Sequence, residues 1–236
     1  MDFGKRLKAI GEMVPKCQNL VDVGTDHAYL PVLLVLNKKI RHAVATDIAP
    51  GPCHAACKTV EEYKLVGKIE VRQADGLAGV TEMEAETVVI AGMGAGTMLE
   101  ILQANPKIVS AIKYLVLQPM NDSEKIRLWA ETSPWNIDAE DLVEEGNKIY
   151  EIMGLSRCDG SKQKTNRNQC YQVSSYLIRE RHPLLKKFVI ELLHKYTSLL
   201  LAMGKSPRAK ASDKYKEFKK IKGQLEEILD ERNNSD

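Results

Sequence analysis

Residues 20–27, Leu20-Val21-Asp22-Val23-Gly24-Thr25-Asp26-His27, decide how this chain is read. A short apolar run rich in β-branched residues ends in an aspartate and a glycine. Such a run has the length of a buried strand. The glycine after it supplies the turn at which an open α/β sheet binds ligands, beyond the carboxyl ends of its strands. Runs of the same kind recur at Ala43–Asp47, Ile69–Gln73, Thr87–Ala91 and Tyr114–Gln118. Helical periodicity lies among them at Ala28–Leu36, Pro52–Leu65, Gly96–Ala104 and Asp122–Thr132. Strands alternating with helices imply right-handed crossovers and a parallel sheet, so the front of the chain reads as α/β. Two more strands, around Trp135–Val143 and Ile149–Ser156, are close enough in sequence to form an antiparallel hairpin that finishes the sheet.

The strand ends carry the chemistry. Asp47 closes the second strand 23 residues after Gly24, a spacing suited to the two hydroxyls of a ribose. Asp75-Gly76-Leu77 follows the third strand, where a glycine lets a flat ring approach the backbone, and Gly92-Met93-Gly94 follows the fourth. A dinucleotide dehydrogenase would carry three glycines in the first turn so that a pyrophosphate could approach a helix N-terminus. Only Gly24 is present, and Asp26 at the second glycine position would repel a pyrophosphate. Carboxylates suit S-adenosylmethionine, which has no phosphate and carries a cationic amino group and a sulfonium. Any one of these residues could instead cap a helix or serve a tight connection. Four consecutive strand ends with ligand-type residues argue for a site.

Composition narrows the classes further. The near-average share of hydrophobic residues, 44%, fits a globular chain and not a disordered one. No apolar run reaches the roughly 18 residues of a membrane span, and the charged start MDFGKRLK lacks the apolar stretch of a signal peptide. A cytoplasmic protein with no membrane partner is expected. Five cysteines, Cys17, Cys53, Cys57, Cys158 and Cys170, make an odd number and read as reduced thiols. Cys53 and Cys57 flank His54, but no second pair with zinc-like spacing follows, so no metal is expected.

The chain changes character near residue 156. Residues 157–172 are polar and read as a connector; beyond them Pro183–Met203 and Ala211–Arg232 have apolar residues at helical spacing, separated by Gly204-Lys205-Ser206-Pro207. An antiparallel helical hairpin is expected. Residues 156–236 hold 18 Lys/Arg against 10 Asp/Glu, whereas residues 1–155 hold 16 against 22. A basic half beside an acidic one suggests a polyanionic partner, although a solvated helical surface has the same composition.

Six blocks taken in order, DVGTDHAYLP, ATDIAPGP, RQADGL, IAGMGAGTMLEIL, LVLQPM and KIYEI, resemble the bacterial TrmK-type tRNA methyltransferases over about 155 residues. Two departures are AGMGAGT, where a second glycine is expected directly after AGMG, and QPMN, where QPN is commoner. The resemblance implies methylation of N1 of the adenine at tRNA position 22, with S-adenosyl-L-methionine as donor and S-adenosyl-L-homocysteine as product. It also implies a Rossmann-like (class I) methyltransferase domain, residues 1–156, and a C-terminal helical hairpin resembling a coiled coil, residues 157–236. By that resemblance Asp22, Gly24, Thr25 and His27 line the methionine end of the donor, Asp47 and Ile48 the ribose, Asp75, Gly76 and Leu77 the adenine, and Gly92 and Met93 the floor near the sulfonium. Arg6 is expected to reach the methionine carboxylate.

The chemistry of transfer adds candidates. Neutral adenine N1 already has a lone pair, so positioning is the main task, and the ring becomes cationic after attack. Asp26 is the candidate carboxylate to stabilise that charge, and Tyr29 the candidate to hold the base; the alternatives are a helix N-cap for Asp26 and core packing for Tyr29. Gln118, Pro119 and Asn121, after the fifth strand, are expected at the edge of the base, and Lys216, Lys219 and Lys220 among the contacts to tRNA phosphates. A monomer is expected. Competing readings are a methyltransferase of a small molecule or protein, a non-catalytic RNA-binding protein, and a nicotinamide-dependent oxidoreductase.

Overall fold

The structure, a computed structural model, describes residues 3–158 and 170–233. Seven strands form one sheet: β1 (Asn19–Val23), β2 (His42–Asp47), β3 (Ile69–Gln73), β4 (Thr87–Met93), β5 (Tyr114–Pro119), β6 (Trp135–Glu145) and β7 (Lys148–Arg157). Their order is β3-β2-β1-β4-β5-β7-β6. The first five are parallel; β7 runs antiparallel to β5 and pairs antiparallel with β6. The order reverses between β1 and β4, the switch point where the carboxyl ends leave a crevice for ligands.

The central strands are buried on both faces, which is why they read as unbroken apolar runs. Their side chains alternate between two core layers. Leu20, Val89 and Val116 face one layer with Ile10, Val32 and Leu34, while Val21, Val88, Ile90, Leu115 and Leu117 face the other with Met98, Ile126 and Trp135. The helices covering the sheet are α1 (Lys5–Met13), α2 (Tyr29–Leu36), α3 (Pro50–Glu62), α4 (Ala95–Ala104), α5 (Pro106–Ala111) and α6 (Ser123–Thr132). The helix expected from Pro52 begins two residues earlier, with Pro50 in the first turn, where its missing N–H costs nothing. Helix α5 was not foreseen; Pro106 starts it directly after Asn105 ends the preceding turn.

The β6–β7 hairpin turns through Gly146 and Asn147, with Gly146 at φ 63°, a conformation that the first residue of a two-residue hairpin loop favours. Helix α6 is locked onto this hairpin by a buried charge cluster. Arg127 Nη2 lies 2.7 Å from Glu140 Oε1 and 2.6 Å from Glu151 Oε1, and Ser123 Oγ donates to Glu151 at 2.5 Å.

The chain divides into two compact units, 1–164 and 165–236. The second contains α7 (Ser175–Arg179), α8 (Leu185–Gly204), α9 (Pro207–Lys210) and α10 (Asp213–Asn233). Ser174 and Ser206 cap α7 and α9, accepting from the N–H of Tyr176 and Ala209. Helices α8 and α10 pack together, with Tyr196 and Phe218 edge to face at 5.3 Å. The connector between them is partly coiled into α9 and is too short to return along a 20-residue helix, about 30 Å, so the pair is antiparallel. Most of the polar stretch 157–172 lies outside the described residues. No helix among the described residues is long and apolar enough to cross a membrane.

Candidate active site

Four neighbouring strands, β3, β2, β1 and β4, deliver the site residues, and the turn after β1 is tied to β2. The N–H groups of Gly24 and Thr25 both donate to the Thr46 carbonyl, at 2.8 and 3.0 Å. Gly24 has φ 71°, a conformation that strains any L side chain, and a Cβ there would lie 2.2 Å from the Met93 methyl, which would have to swing aside. Asp22 is 5% exposed and accepts a 2.6 Å hydrogen bond from Thr25 Oγ1. Burial pushes its carboxyl up to about 6, the Thr25 bond opposes this, and the charge of Asp47 adds to it.

Asp47 bridges two loops: Oδ1 accepts from Ala49 N–H at 3.0 Å and Oδ2 from Asp26 N–H at 3.3 Å. Asp26 and Ala28 both adopt positive φ, 53° and 55°. Helix α2 has Ala28 at its N-cap and no side-chain cap, so capping does not explain Asp26. The Asp26 carboxylate is instead 71% exposed and lies 3.7 Å from His27 Nε2. His27 stacks on Tyr29 with centroids 5.2 Å apart, and Tyr29 meets Phe3 edge-on at 6.2 Å. Tyr29 is therefore part of an aromatic series that ends in a half-exposed ring.

Beyond β3, Asp75 is exposed and Gly76 has φ 56°, with Ile101 Cγ2 only 2.9 Å from where a Cβ would sit. Gly76 accepts from Thr46 Oγ1 at 3.0 Å through its carbonyl. Leu77, expected at the adenine, is fully buried and belongs to the core, so in this structure it does not line the cleft. Ile48, by contrast, is 64% exposed, with its carbonyl held by Gln73 Nε2 at 3.1 Å. At the end of β4 the register breaks between Ala91 and Met93, leaving Gly92 exposed at φ 79°. The loops after β4 and β5 are joined by Met120 N–H donating to the Met93 carbonyl at 2.8 Å.

Arg6 is built into the fold. Its backbone N–H donates to Glu145 Oε1 at 3.2 Å, its guanidinium lies 5.3 Å from the Tyr150 ring centroid, and Nη1 donates to Gln118 Oε1 at 2.8 Å. Gln118 and Pro119 are buried, whereas Met120 and Asn121 are exposed beside them. The role expected of Gln118 at a base edge is met by a buried amide that faces Arg6. Tyr150 and Glu145 had no part in the sequence reading, and the only hint was Tyr150 inside the KIYEI block. Lys216, Lys219 and Lys220 are exposed on α10 in the second unit, Lys216 pairing with Asp213 at 2.9 Å.

A cavity of about 510 Å³ opens at the opposite, amino-terminal edge of the sheet, lined by His42, Val44, Lys68, Ile69 and neighbours, and includes none of these site residues. Among the described residues no group of three or more His, Cys, Asp and Glu is arranged to hold a metal ion. Acidic groups at the ends of β1, β2 and β3, with one arginine beside β4 and β5, suit a nucleoside carrying an amino acid and not a pyrophosphate.

This strand order and this set of strand ends define a Rossmann-like domain of the methyltransferase class. A sequence model of the TrmK family, described as tRNA (adenine(22)-N(1))-methyltransferase, matches residues 20–228. The tRNA (adenine(22)-N(1))-methyltransferase of Bacillus subtilis (strain 168) is 31% identical over 233 residues, 98% of each chain. The crystal structure of the B. subtilis m1A22 tRNA methyltransferase TrmK superposes with TM-score 0.84 at 29% identity, covering 97% of this chain and 99% of that one. A Streptococcus pneumoniae structure in complex with S-adenosyl-L-methionine superposes with TM-score 0.80 at 30% identity, covering 97% of this chain and all of that one. The chain belongs to the TrmK family.

Proposed function

We propose that this protein transfers a methyl group from S-adenosyl-L-methionine to N1 of the adenine at position 22 of tRNA, leaving S-adenosyl-L-homocysteine. The observation that carries the reading is the run of ligand-type groups along adjacent strand ends in a chain whose family has that activity. The donor supplies an electrophilic methyl on a sulfonium. Asp75 and the turn at Gly76 hold its adenine, with Leu77 anchoring that turn in the core, Asp47 its ribose hydroxyls, and Asp22 its amino group. Ile48, exposed after Asp47, covers the ribose, and Gly92 and Met93 form the floor at the methyl.

The chain's main contribution to the chemistry is alignment, since adenine N1 attacks with its own lone pair. An N1–carbon bond forms as the sulfur–carbon bond breaks, and the positive charge passes from sulfur to the adenine ring. The exposed Asp26 carboxylate stabilises that charge through the adenine N6–H, and the His27–Tyr29 stack offers a face to the base. Asn121, exposed at the rim, meets the edge of the base. The target must be unpaired or extruded, because Watson–Crick pairing occupies N1. The lysines of α10 contact tRNA phosphates, and the enzyme works as a cytoplasmic monomer without a metal. A modification map of tRNA incubated with pure protein and labelled donor tests the assignment: a methyl at N1 of adenine 22 is the expected result, and its absence would overturn it.

A further inference from the structure

We infer that Gln118 is a positioning residue that, together with Tyr150, aims Arg6 at the carboxylate of the donor's amino acid. The inference rests on the proposed binding of S-adenosylmethionine. It moves Gln118 from the base to the donor.

The hydrogen-bond capacity of Gln118 is already committed. Its side chain is fully buried at the end of β5, and a buried primary amide needs partners for its oxygen and its two N–H bonds. Arginine can only donate, so the amide oxygen must face Arg6, which it does at 2.8 Å. The amide nitrogen donates to the Pro119 carbonyl at 2.9 Å and lies 3.8 Å from Met120 Sδ. Reading a base would require breaking these contacts inside the core. Arg6, by contrast, keeps donors to spare. A guanidinium has five N–H bonds, and the bond to Gln118 is the one this group makes to the described residues. Tyr150 covers one face of the guanidinium, and Glu145 takes the backbone N–H of Arg6 instead of its charge. The guanidinium of Arg6 is thus oriented by Gln118 and Tyr150, neutral partners that leave its charge available.

The order of the sheet says what that charge meets. Read across the carboxyl ends, the groups run Asp75 just after β3, Asp47 on β2, Asp22 on β1 with Gly24 just after it, Gly92 on β4, then Gln118 on β5. Strands lie about 4.8 Å apart, so a ribose held at Asp47 places the amino acid of the donor about two strands away, over β1 and β4. The guanidinium reaches that point, since Arg6 Nη1 is 3.6 Å from where a Gly92 Cβ would stand. Asp22, Asp26 and Asp47 would all repel a carboxylate there. Arg6 supplies the balancing charge, and a guanidinium held in a fixed plane matches a carboxylate with paired hydrogen bonds.

The test compares two ligands on the full chain by calorimetry: S-adenosylhomocysteine, and 5′-methylthioadenosine, which keeps the nucleoside and thioether but lacks the amino acid. Gln118→Ala should weaken S-adenosylhomocysteine by about tenfold, as for a charge-assisted bond that loses its alignment, and leave methylthioadenosine within about twofold. Gln118→Glu, which keeps size and shape, should weaken S-adenosylhomocysteine at least as much, because its carboxylate neutralises Arg6. In an Arg6→Ala background Gln118→Ala should add little further loss. Equal losses for both ligands, or additive losses in the double variant, would assign Gln118 a merely structural role and overturn the inference. Unchanged binding of both ligands with weakened tRNA affinity would return Gln118 to the base. Failure of the wild type to bind either ligand would instead defeat the donor assignment itself.

Discussion

At the scale of single residues, Asp22 carries a cost to folding that its proposed role at the donor's amino group would explain. Its carboxyl titrates near 6 because it is buried, against an ordinary value of 3.8. A raised carboxyl means that the folded protein holds a proton the unfolded chain has released between those two values. The stability of the ligand-free protein therefore falls as pH rises from about 4 to about 6, by on the order of 2 to 3 kcal/mol. Asp22→Asn removes that charge and can keep the bond from Thr25, so its melting temperature at pH 7.5 should exceed that of the wild type while donor binding is weakened. Donor affinity in the wild type should fall as pH drops through about 6, because protonated Asp22 no longer attracts the amino group; the same titration on Asp22→Asn should be flatter. Thermal melts and calorimetry across pH 5 to 8 check both. For Asp26, Asp26→Asn should leave donor affinity within a few-fold while single-turnover methylation slows by about tenfold or more. Equal rates would remove it from the transfer step. The glycine and aspartate positions were legible in the sequence because strand ends impose them. The burial of Gln118 and Leu77 was not, since a strand-end residue can face either the cleft or the core, and nothing in a single sequence states which.

The elements divide in the same way. The central strands β1, β2, β4 and β5 were legible because burial on both faces demands apolar, β-branched runs. Helix α5 and the irregularity at Gly92 were not, because one depends on where Pro106 falls in a turn and the other on how β4 matches β5. The least legible arrangement is the way the β6–β7 hairpin supports the site. Glu145 and Tyr150 lie near its turn and hold Arg6, while Glu140 and Glu151 hold α6 through Arg127. Such contacts join residues distant in sequence, so no local pattern announces them. Arg127→Leu leaves the buried Glu140 and the partly buried Glu151 without their counter-ion and should cost about 3 to 5 kcal/mol in denaturant unfolding. Because the hairpin also carries Glu145 and Tyr150, the surviving folded protein should bind the donor more weakly. Full stability in Arg127→Leu would show that the cluster does not clamp the hairpin.

For the whole molecule, sequence charge and structure converge on the second unit. Its basic excess was visible in the sequence, as were its two long helices. On α10, Lys216, Lys219 and Lys220 are exposed, while Ile221 and Leu225 of the same helix are buried. Polar and apolar faces are thus separate, so changing the lysines should leave the packing of α8 on α10, including the Tyr196–Phe218 contact, undisturbed. Lys216 pairs with an Asp213 that is 98% exposed in its side chain, a solvated pair that salt screens and that contributes little to the fold. If these lysines neutralise tRNA phosphates, each displaces condensed counterions, and the logarithm of the binding constant falls with the logarithm of salt by about 0.9 for each contact made to duplex. The variant Lys216→Glu, Lys219→Glu, Lys220→Glu should therefore melt at nearly the wild-type temperature, bind S-adenosylhomocysteine unchanged, and bind tRNA more weakly with a shallower salt slope. Fluorescence anisotropy with labelled tRNA across a salt series measures both affinity and slope. A folded variant whose tRNA affinity and slope equal those of the wild type would exclude this face of α10 from the RNA-binding surface, since loss of three phosphate contacts cannot leave counterion release unchanged.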